Sequence, residues 1–426
     1  MLLLPFVLLL GCMALGPVLA PRWWARHYAK VALGLGAIIA GIYLFVLRDT
    51  ATLGHAAHEY ISFIALIGSL FVVSGSILIR IDIEATPAAN ALFLFVGALA
   101  ANVLGTTGAA MLLIRPWLRM NQGRIRPYHT VFFIFIVANA GGCLTPIGDP
   151  PLFLGYLEGI PFWWTLQHSW MAWITANGLL LAIFYAIDAR WPHQNPSPQP
   201  SPRLGGERES DIVPKSKPKT RCWQFGGGWN LVFLAVILGA VFVNGRHFER
   251  EILMLAAAIG SYFTTPKRVH AANGFNFHPV QEVAALFAGI FATMPPVLAW
   301  LDKHAVSMLG HNPSPGTFFW STGSLSAVLD NAPTFLGFLS ALRGGSGSLD
   351  MPSLLAQNPV QLLAISLGAV FFGAATYIGN GPNFMVRSVA EQSNAQPPSF
   401  LEFVLKYTLP FLVPMLAVVW WMFFRG

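Results

Sequence analysis

Two aspartates stand where an apolar chain has no ordinary use for charge. Asp149 lies in "NAGGCLTPIGDPPLFLGY" (Asn139–Tyr156) and Asp330 in "VLDNAPTF" (Val328–Phe335). Glycine and proline crowd both, and these are the residues that unwind or end a helix. An ionisable side chain at membrane depth is costly and marks an ion or substrate path. Two carboxylates in one cavity would bind a cation or hold protons. The candidate site is therefore Asp149 and Asp330, with Asn331, Thr106, Thr107, Thr145, Thr334, Asn380 and Asn383 supplying neutral oxygens. Hard cations such as sodium favour oxygen ligands, by analogy with calcium and magnesium sites. Each of these side chains also has a plainer use, since Asp, Asn and Thr cap helices and bond turns. Glu282 and Arg387 are secondary candidates. Glu282 lies near the start of its helix and serves equally at the interface, and Arg387 can pair with a carboxylate or snorkel. No resident cofactor or metal is expected beyond a sodium site. "HAAHE" (His55–Glu59) differs in order from the H-E-x-x-H zinc motif and is expected in a solvated external loop.

The rest of the composition says what must position these groups. The chain has 426 residues, 55% hydrophobic and 10% charged, with a mean hydropathy of +0.59. A soluble domain carries about 25% charged residues. This surface must face lipid instead. Apolar runs recur at Val31–Leu47, Ile61–Ile79, Trp170–Ile187, Leu231–Val243, Val283–Trp300, Leu362–Ile378 and Phe400–Phe424. Most are near the roughly 20 residues that cross a bilayer as a helix, and some, such as Leu231–Val243, are short. An all-α polytopic membrane protein is expected. The net charge of +7 does not point to nucleic acid, because the basic residues sit in loops between apolar runs. Cys12, Cys143 and Cys222 share no metal spacing. "LLGC" (Leu9–Cys12) has no basic residue before it, so Met1–Ala20 is expected to be a retained helix rather than a signal peptide.

Basic loops mark the cytoplasmic side. Starting with Arg22, Arg26 and Lys30 inside, the chain places Arg80, Arg115, Arg119, Arg124, Arg126, Lys267 and Arg268 inside as well. Asp188–Gly228, with seven Lys or Arg, follows them. This works only if Ala88–Leu118 enters and returns on one side, as a re-entrant hairpin with Gly105-Thr106-Thr107-Gly108 at its tip. A kinked single helix is the other reading. Trp191–Trp223 is rich in Pro, Ser and charge and is expected to be a disordered cytoplasmic linker.

Three segments recur in order on either side of that linker. "TPIGDPPLF" (Thr145–Phe153) matches "TYIGNGPNF" (Thr376–Phe384). "VLGTTGAAMLLIRPWLR" matches "VLDNAPTFLGFLSALR", and "FIALIGSLF" matches "EVAALFAGIF". The charge pattern makes the second hairpin enter from the opposite side. Two inverted repeats are therefore expected, each with a re-entrant hairpin and a broken transmembrane helix, the design of secondary transporters. The breaks are expected at Gly105, Gly108, Gly148, Pro150 and Pro151, and at Pro333, Gly379, Gly381 and Pro382. The expected organisation is scaffold helices in 1–60, a first repeat in 61–190, a linker in 191–228, scaffold helices in 229–265 and a second repeat in 279–426. The hairpins fall near 88–118 and 317–343, the broken helices near 129–158 and 359–391, and a C-terminal helix follows.

"GGCLTPIGDPP", "SAVLDNAPTF" and "GAATYIGNGPNF" resemble the ion transporter superfamily. The chain looks like its NhaD-type sodium/proton antiporters and citrate transporter-like proteins over nearly all its length outside the linker. The resemblance implies an elevator-type transporter, usually a homodimer, in the cytoplasmic membrane. In the sodium/dicarboxylate members each hairpin tip carries Ser-Asn-Thr or a related cluster. Here the tips read Gly105-Thr106-Thr107 and Asp330-Asn331-Ala332-Pro333-Thr334, closer to the antiporters. The expected function is exchange of sodium or another monovalent cation for protons by alternating access. The alternative is transport of citrate or another di- or tricarboxylate coupled to cations or protons. Sodium and protons are the expected transported or coupling ions, and the partners are the lipid bilayer and small cations or carboxylates. An enzyme is not expected. Asp330 follows Leu329 and the Gly-x-Gly-Asp pattern is missing before Asp149, unlike intramembrane aspartyl proteases.

Overall fold

Backbone groups in hydrocarbon have no water to bond, so apolar runs resolve as helices. The computed structural model describes residues 2–81, 85–191, 223–243, 248–309, 313–347, 350–393 and 395–425. The first half holds α1 (Leu4–Leu19), α2 (Pro21–Gly41), α3 (Thr50–Gly75), α4 (Pro87–Met120), α5 (Pro127–Ile136), α6 (Pro150–Leu157) and α7 (Phe162–Ala189). Next come α8 (Asn230–Ala240), α9 (Glu249–Thr264), α10 (Lys267–Asn273), α11 (His278–Thr293) and α12 (Pro295–Leu309). The last group is α13 (Pro315–Ser326), α14 (Asn331–Gly345), α15 (Met351–Gln357), α16 (Pro359–Gly373), α17 (Gly381–Gln392), α18 (Phe400–Phe403) and α19 (Val413–Phe423). A π-helical stretch with Pro410 joins the last two. Proline opens many of these helices, where its missing N–H has no intrahelical partner to lose.

Among the described residues, six helices are long and apolar enough to cross a membrane, or up to eight if each bent pair counts as one span. Large apolar side chains point outward along them, among them Leu33 and Ile38 on α2 and Trp163, Trp170 and Ile174 on α7. The chain is a multi-pass α-helical membrane protein. One short ladder interrupts the helices: β1 (Leu78–Ile81) pairs antiparallel with β2 (Trp223–Gly226), Leu78 opposite Gly226. Most of the expected linker, 192–222, lies outside the described residues, and its last residues form β2 rather than coil.

The helix α4 is not one straight rod, although its length and composition alone would pass it as a single span. Gly105 has φ +73° and ψ 154°, a conformation that glycine adopts at little steric cost. Asn90 and Asn121 would stand about 46 Å apart on a straight helix. Instead Asn90 Nδ2 donates to Asn121 Oδ1 at 2.9 Å, and Phe93 meets Trp117 with ring centroids 5.4 Å apart. The two halves lie side by side, so the kinked-rod reading does not hold. Gly108, expected at the break, lies inside the second half.

A second expectation is corrected at His55–Glu59, which is not a loop. Asp49 caps α3, accepting from Thr52 N at 3.0 Å and from Thr52 Oγ1 at 2.7 Å. The cap starts the helix six residues before His55, and Glu59 is buried.

Two interruptions lie opposite one another. Between α5 and α6 the chain makes a short 3-10 turn (Ala140–Leu144) and then a second turn, closed by Gly148 N donating to Thr145 O at 3.0 Å, before Asp149. Between α16 and α17 it leaves the helix from Ala374 to Asn380. Glycine pairs close both. A Cβ on Gly148 would stand 2.0 Å from Gly142 O, and one on Gly379 would stand 2.8 Å from Gly373 O. Thr145 Oγ1 donates to Asn102 O at 2.6 Å, and Thr376 Oγ1 donates to Ala327 O at 2.7 Å. The second half of α4, the start of α14 and both interruptions meet in the interior.

Candidate functional site

The local sequence fixes where the first interruption ends. Pro150 and Pro151 fill the first two positions of α6, so neither can donate a backbone N–H to a preceding turn. Asp149 therefore occupies the N-terminal flanking position with extended backbone, φ −143° and ψ 144°. Its side chain bonds no N–H of α6 and turns inward, leaving the residue 1% exposed.

Three donors from three distant segments take the carboxylate. Thr106 Oγ1, just past the Gly105 turn of α4, donates to Asp149 Oδ1 at 2.7 Å. Asn380 Nδ2, at the end of the second interruption, donates to the same oxygen at 3.1 Å. Asn331 Nδ2, at the start of α14, donates to Oδ2 at 2.6 Å. Backbone holds the first contact in place, with Thr106 N donating to Gly148 O at 2.7 Å. Hydrogen bonds to a charged group contribute about 1.5–3 kcal/mol each.

Behind the carboxylate lies an amide cluster. Asn139 Nδ2 donates to Asn383 Oδ1 at 2.7 Å and to Ile134 O at 2.8 Å. Asn380 Nδ2 also lies 3.1 Å from Asn139 Oδ1. Asn383 Nδ2 donates to Gly373 O and Thr376 O, both at 2.8 Å. One polar atom in this region is left over: Asn331 Oδ1 is buried and has no hydrogen-bond partner. A buried unsatisfied acceptor costs about 1–3 kcal/mol. It adjoins a carboxylate, and oxygen atoms so placed suit a cation.

The two aspartates have different roles in the structure. Asp330 caps α14, accepting from Ala332 N at 3.1 Å. It is buried, one residue before the asparagine that holds Asp149. No Lys or Arg among the described residues bonds either carboxylate.

Of the other sequence candidates, Thr106, Asn331 and Asn380 touch Asp149 directly. Asn383 is one step behind. Thr145 ties the first interruption to α4 through Asn102 O, and Thr334 bonds back to Asp330 O at 2.9 Å within its own turn. Thr107 makes no side-chain hydrogen bond and does not reach the carboxylate. Arg387 stays outside the site, paired with Glu391 at 2.8 Å and lying 4.7 Å over the Tyr377 ring. Glu282 lines a separate cavity of about 340 Å³ with Phe71, Arg115, Asn273, His278 and Ser388.

Sequence reasoning missed Asn139 and Asn102. Asn139 opens the quoted "NAGGC" stretch, where an amide just before a glycine pair was the available signal. Asn102 accepts from Leu144 N at 2.9 Å and donates to Gly141 O at 2.7 Å, binding hairpin to interruption. Nothing in the apolar run around it announced that partner.

A family model described as "Putative citrate transport" matches residues 1–424. No curated protein matches the chain.

Proposed function

The chain belongs to this citrate transport family, and from that premise we propose a secondary transporter that moves citrate or a related carboxylate together with a cation or proton. Asp149 is the group that takes up the coupling ion. The single observation that carries this reading is the convergence of Thr106, Asn331 and Asn380 on one buried carboxylate beside an unpaired Asn331 oxygen. A lone charge inside a membrane protein is strongly disfavoured. Protonation or a bound cation removes that penalty, so the empty charged site crosses poorly and the loaded one crosses well. Competition or co-binding at such a site couples two fluxes.

The wider reading is alternating access. The α4 hairpin, α13 with α14, and the two interruptions with their flanking helices α5, α6, α16 and α17 form the moving part, built as two inverted repeats whose hairpins re-enter from opposite faces. Paired glycine contacts in both interruptions support the repeat, as do the matching Thr145 and Thr376 bonds. The remaining helices form the scaffold of an elevator, in a homodimer in the cytoplasmic membrane, with 191–228 as its cytoplasmic linker. The cavity containing Arg115 is the approach for a carboxylate, the arginine being its fixed cation.

A second reading is exchange of sodium for protons with no organic cargo. One observation favours it: the residues that bond Asp149 are hydroxyls and amides, with no basic side chain to take an anion.

Reconstitution into proteoliposomes separates the two. Under a pH gradient, radiolabelled citrate uptake and sodium, lithium and potassium flux are measured in parallel. Citrate accumulation that depends on the cation or proton gradient is the expected result. Sodium flux against protons without citrate uptake installs the second reading. Neither flux, with the protein folded in the vesicle, overturns both.

A further inference from the structure

At the end of α6 away from Asp149, three side chains of metal-ligand type converge. His55 and Glu59 lie one turn apart on α3 and so share a face. Glu158 directly follows α6. His55 Nε2 is 3.2 Å from a Glu59 carboxylate oxygen. One ligand atom each from His55, Glu59 and Glu158 can be chosen so that all three lie within 4.8 Å of one another. Arg343, in the last turn of α14, donates to Glu158 Oε2 at 2.5 Å and to Glu158 O at 3.3 Å.

Two carboxylates face one guanidinium, and Glu59 is only 8% exposed. A poorly hydrated carboxylate beside another is costly unless a proton or a cation lies between them, and a metal with the His55 nitrogen as third donor would take the proton's place. We infer that His55, Glu59 and Glu158 form a divalent transition-metal site on the side of the molecule where α3, α6 and α14 meet.

The donor set selects the ion class. One imidazole nitrogen with two carboxylates suits zinc, manganese or nickel. It supplies too few oxygens for calcium, and magnesium has little use for an imidazole. Ligand atoms around zinc at ~2.0–2.2 Å stand roughly 3.4 Å apart. The atoms here lie within 4.8 Å of one another, and the His55 side chain is 72% exposed. The same exposure gives the ion its route in from solvent. Arg343 holds one oxygen of Glu158 and leaves Oε1 for the metal, as an outer-shell partner does.

The position gives the site a consequence that rests on the function proposed above. Asp149 immediately precedes α6 and Glu158 immediately follows it; Asn331 begins α14 and Arg343 lies in its last turn. A metal held by α3 and Glu158 therefore ties the far ends of both site helices to a long helix beside them. Occupancy should slow any movement of α6 and α14 past α3.

The test uses the full-length purified protein in detergent, titrated with cobalt(II) and followed by its visible absorption. One cobalt per chain, displaced by zinc, is expected in the wild type. His55→Ala and Glu158→Gln should each weaken binding by at least about tenfold. No protein-dependent cobalt spectrum in the wild type, or an unchanged titration in His55→Ala, overturns the site. In vesicles, zinc should slow transport by the wild type and leave His55→Ala unaffected. Equal inhibition of both removes the regulatory role while the cobalt result stands. A wild type without any flux counts against the proposed function and not against the metal site.

Discussion

Asn331 Nδ2 donates to Asp149 Oδ2 at 2.6 Å across 182 positions of sequence, while the other end of the same amide, Oδ1, bonds nothing. One asparagine thus holds the carboxylate in place and offers an open oxygen beside it. Asp149 differs from a helix cap, since its side chain bonds no N–H of the helix it precedes.

Asp149→Asn should abolish coupled flux. The amide oxygen can keep Thr106 and Asn380, and the new NH2 faces Asn331, which can turn its unpaired Oδ1 to accept from it. The fold should hold, with a loss of at most about 1–3 kcal/mol in stability. Asp330→Asn keeps an oxygen for Ala332 N and should retain measurable flux. Equal loss in both variants, measured in vesicles after checking folding by size exclusion, would remove the distinction between the two aspartates.

Thr106→Val should weaken coupling-ion binding by about tenfold, since a charge-assisted hydrogen bond of roughly 1.5 kcal/mol is lost. Thr107→Val removes no hydrogen bond and should leave the apparent cation affinity within about twofold of wild type. The ion dependence of transport rate, measured for both, decides whether the hairpin tip acts through one hydroxyl.

Gly148→Ala should fail to fold or melt far below the wild type. The new methyl would lie 2.0 Å from a backbone oxygen, with no side chain free to yield. Gly381→Ala is the contrast, because nothing lies within 4 Å of its Cβ position. It should melt close to the wild type. Thermal unfolding of both in detergent, followed by fluorescence size exclusion, is the measurement.

Arg115→Ala tests the cargo. If a carboxylate approaches through the cavity beside Arg115, the citrate KM should rise by about tenfold, the loss of one charge-assisted contact. Sodium-dependent proton movement without citrate should not change. An unaltered citrate KM would show that the cavity is not the approach.

Asp188 offers a stability control. It is buried at the end of α7, accepting from Tyr128 Oη at 2.7 Å and Asn90 Nδ2 at 2.9 Å, and it pairs with Arg124. Asp188→Asn leaves that arginine uncompensated, at a cost of about 3–5 kcal/mol. The melting temperature should fall while the substrate KM of the surviving protein holds.

Several residues of the polar cluster around Asp149 were legible in the sequence, and its connections were not. Asp149 was visible because charge, glycine and proline coincide there, and the Gly105 turn because glycines interrupt an apolar run. Asn380 followed from the recurrence of "IG[DN]". Asn139 and Asn102 were not visible, because an amide has no period and its partner lies in another segment. Thr106 and Thr107 could not be told apart either. Which hydroxyl meets Asp149 depends on the φ of Gly105, which no composition records. His55–Glu59 was misplaced for a related reason: charged residues read as loop, and the Asp49 cap that starts α3 was overlooked.

The meeting of three donors on one carboxylate has a further consequence. Thr106, Asn331 and Asn380 lie far apart along the chain and share Asp149 as their common hydrogen-bond partner. If the coupling ion binds there as proposed, it changes the restraint on all three at once. Deuterium uptake should therefore slow together at the tip of α4, the start of α14 and the start of α17 when the coupling ion is added. Synchrony among the three is the signature, and no one of them should respond alone.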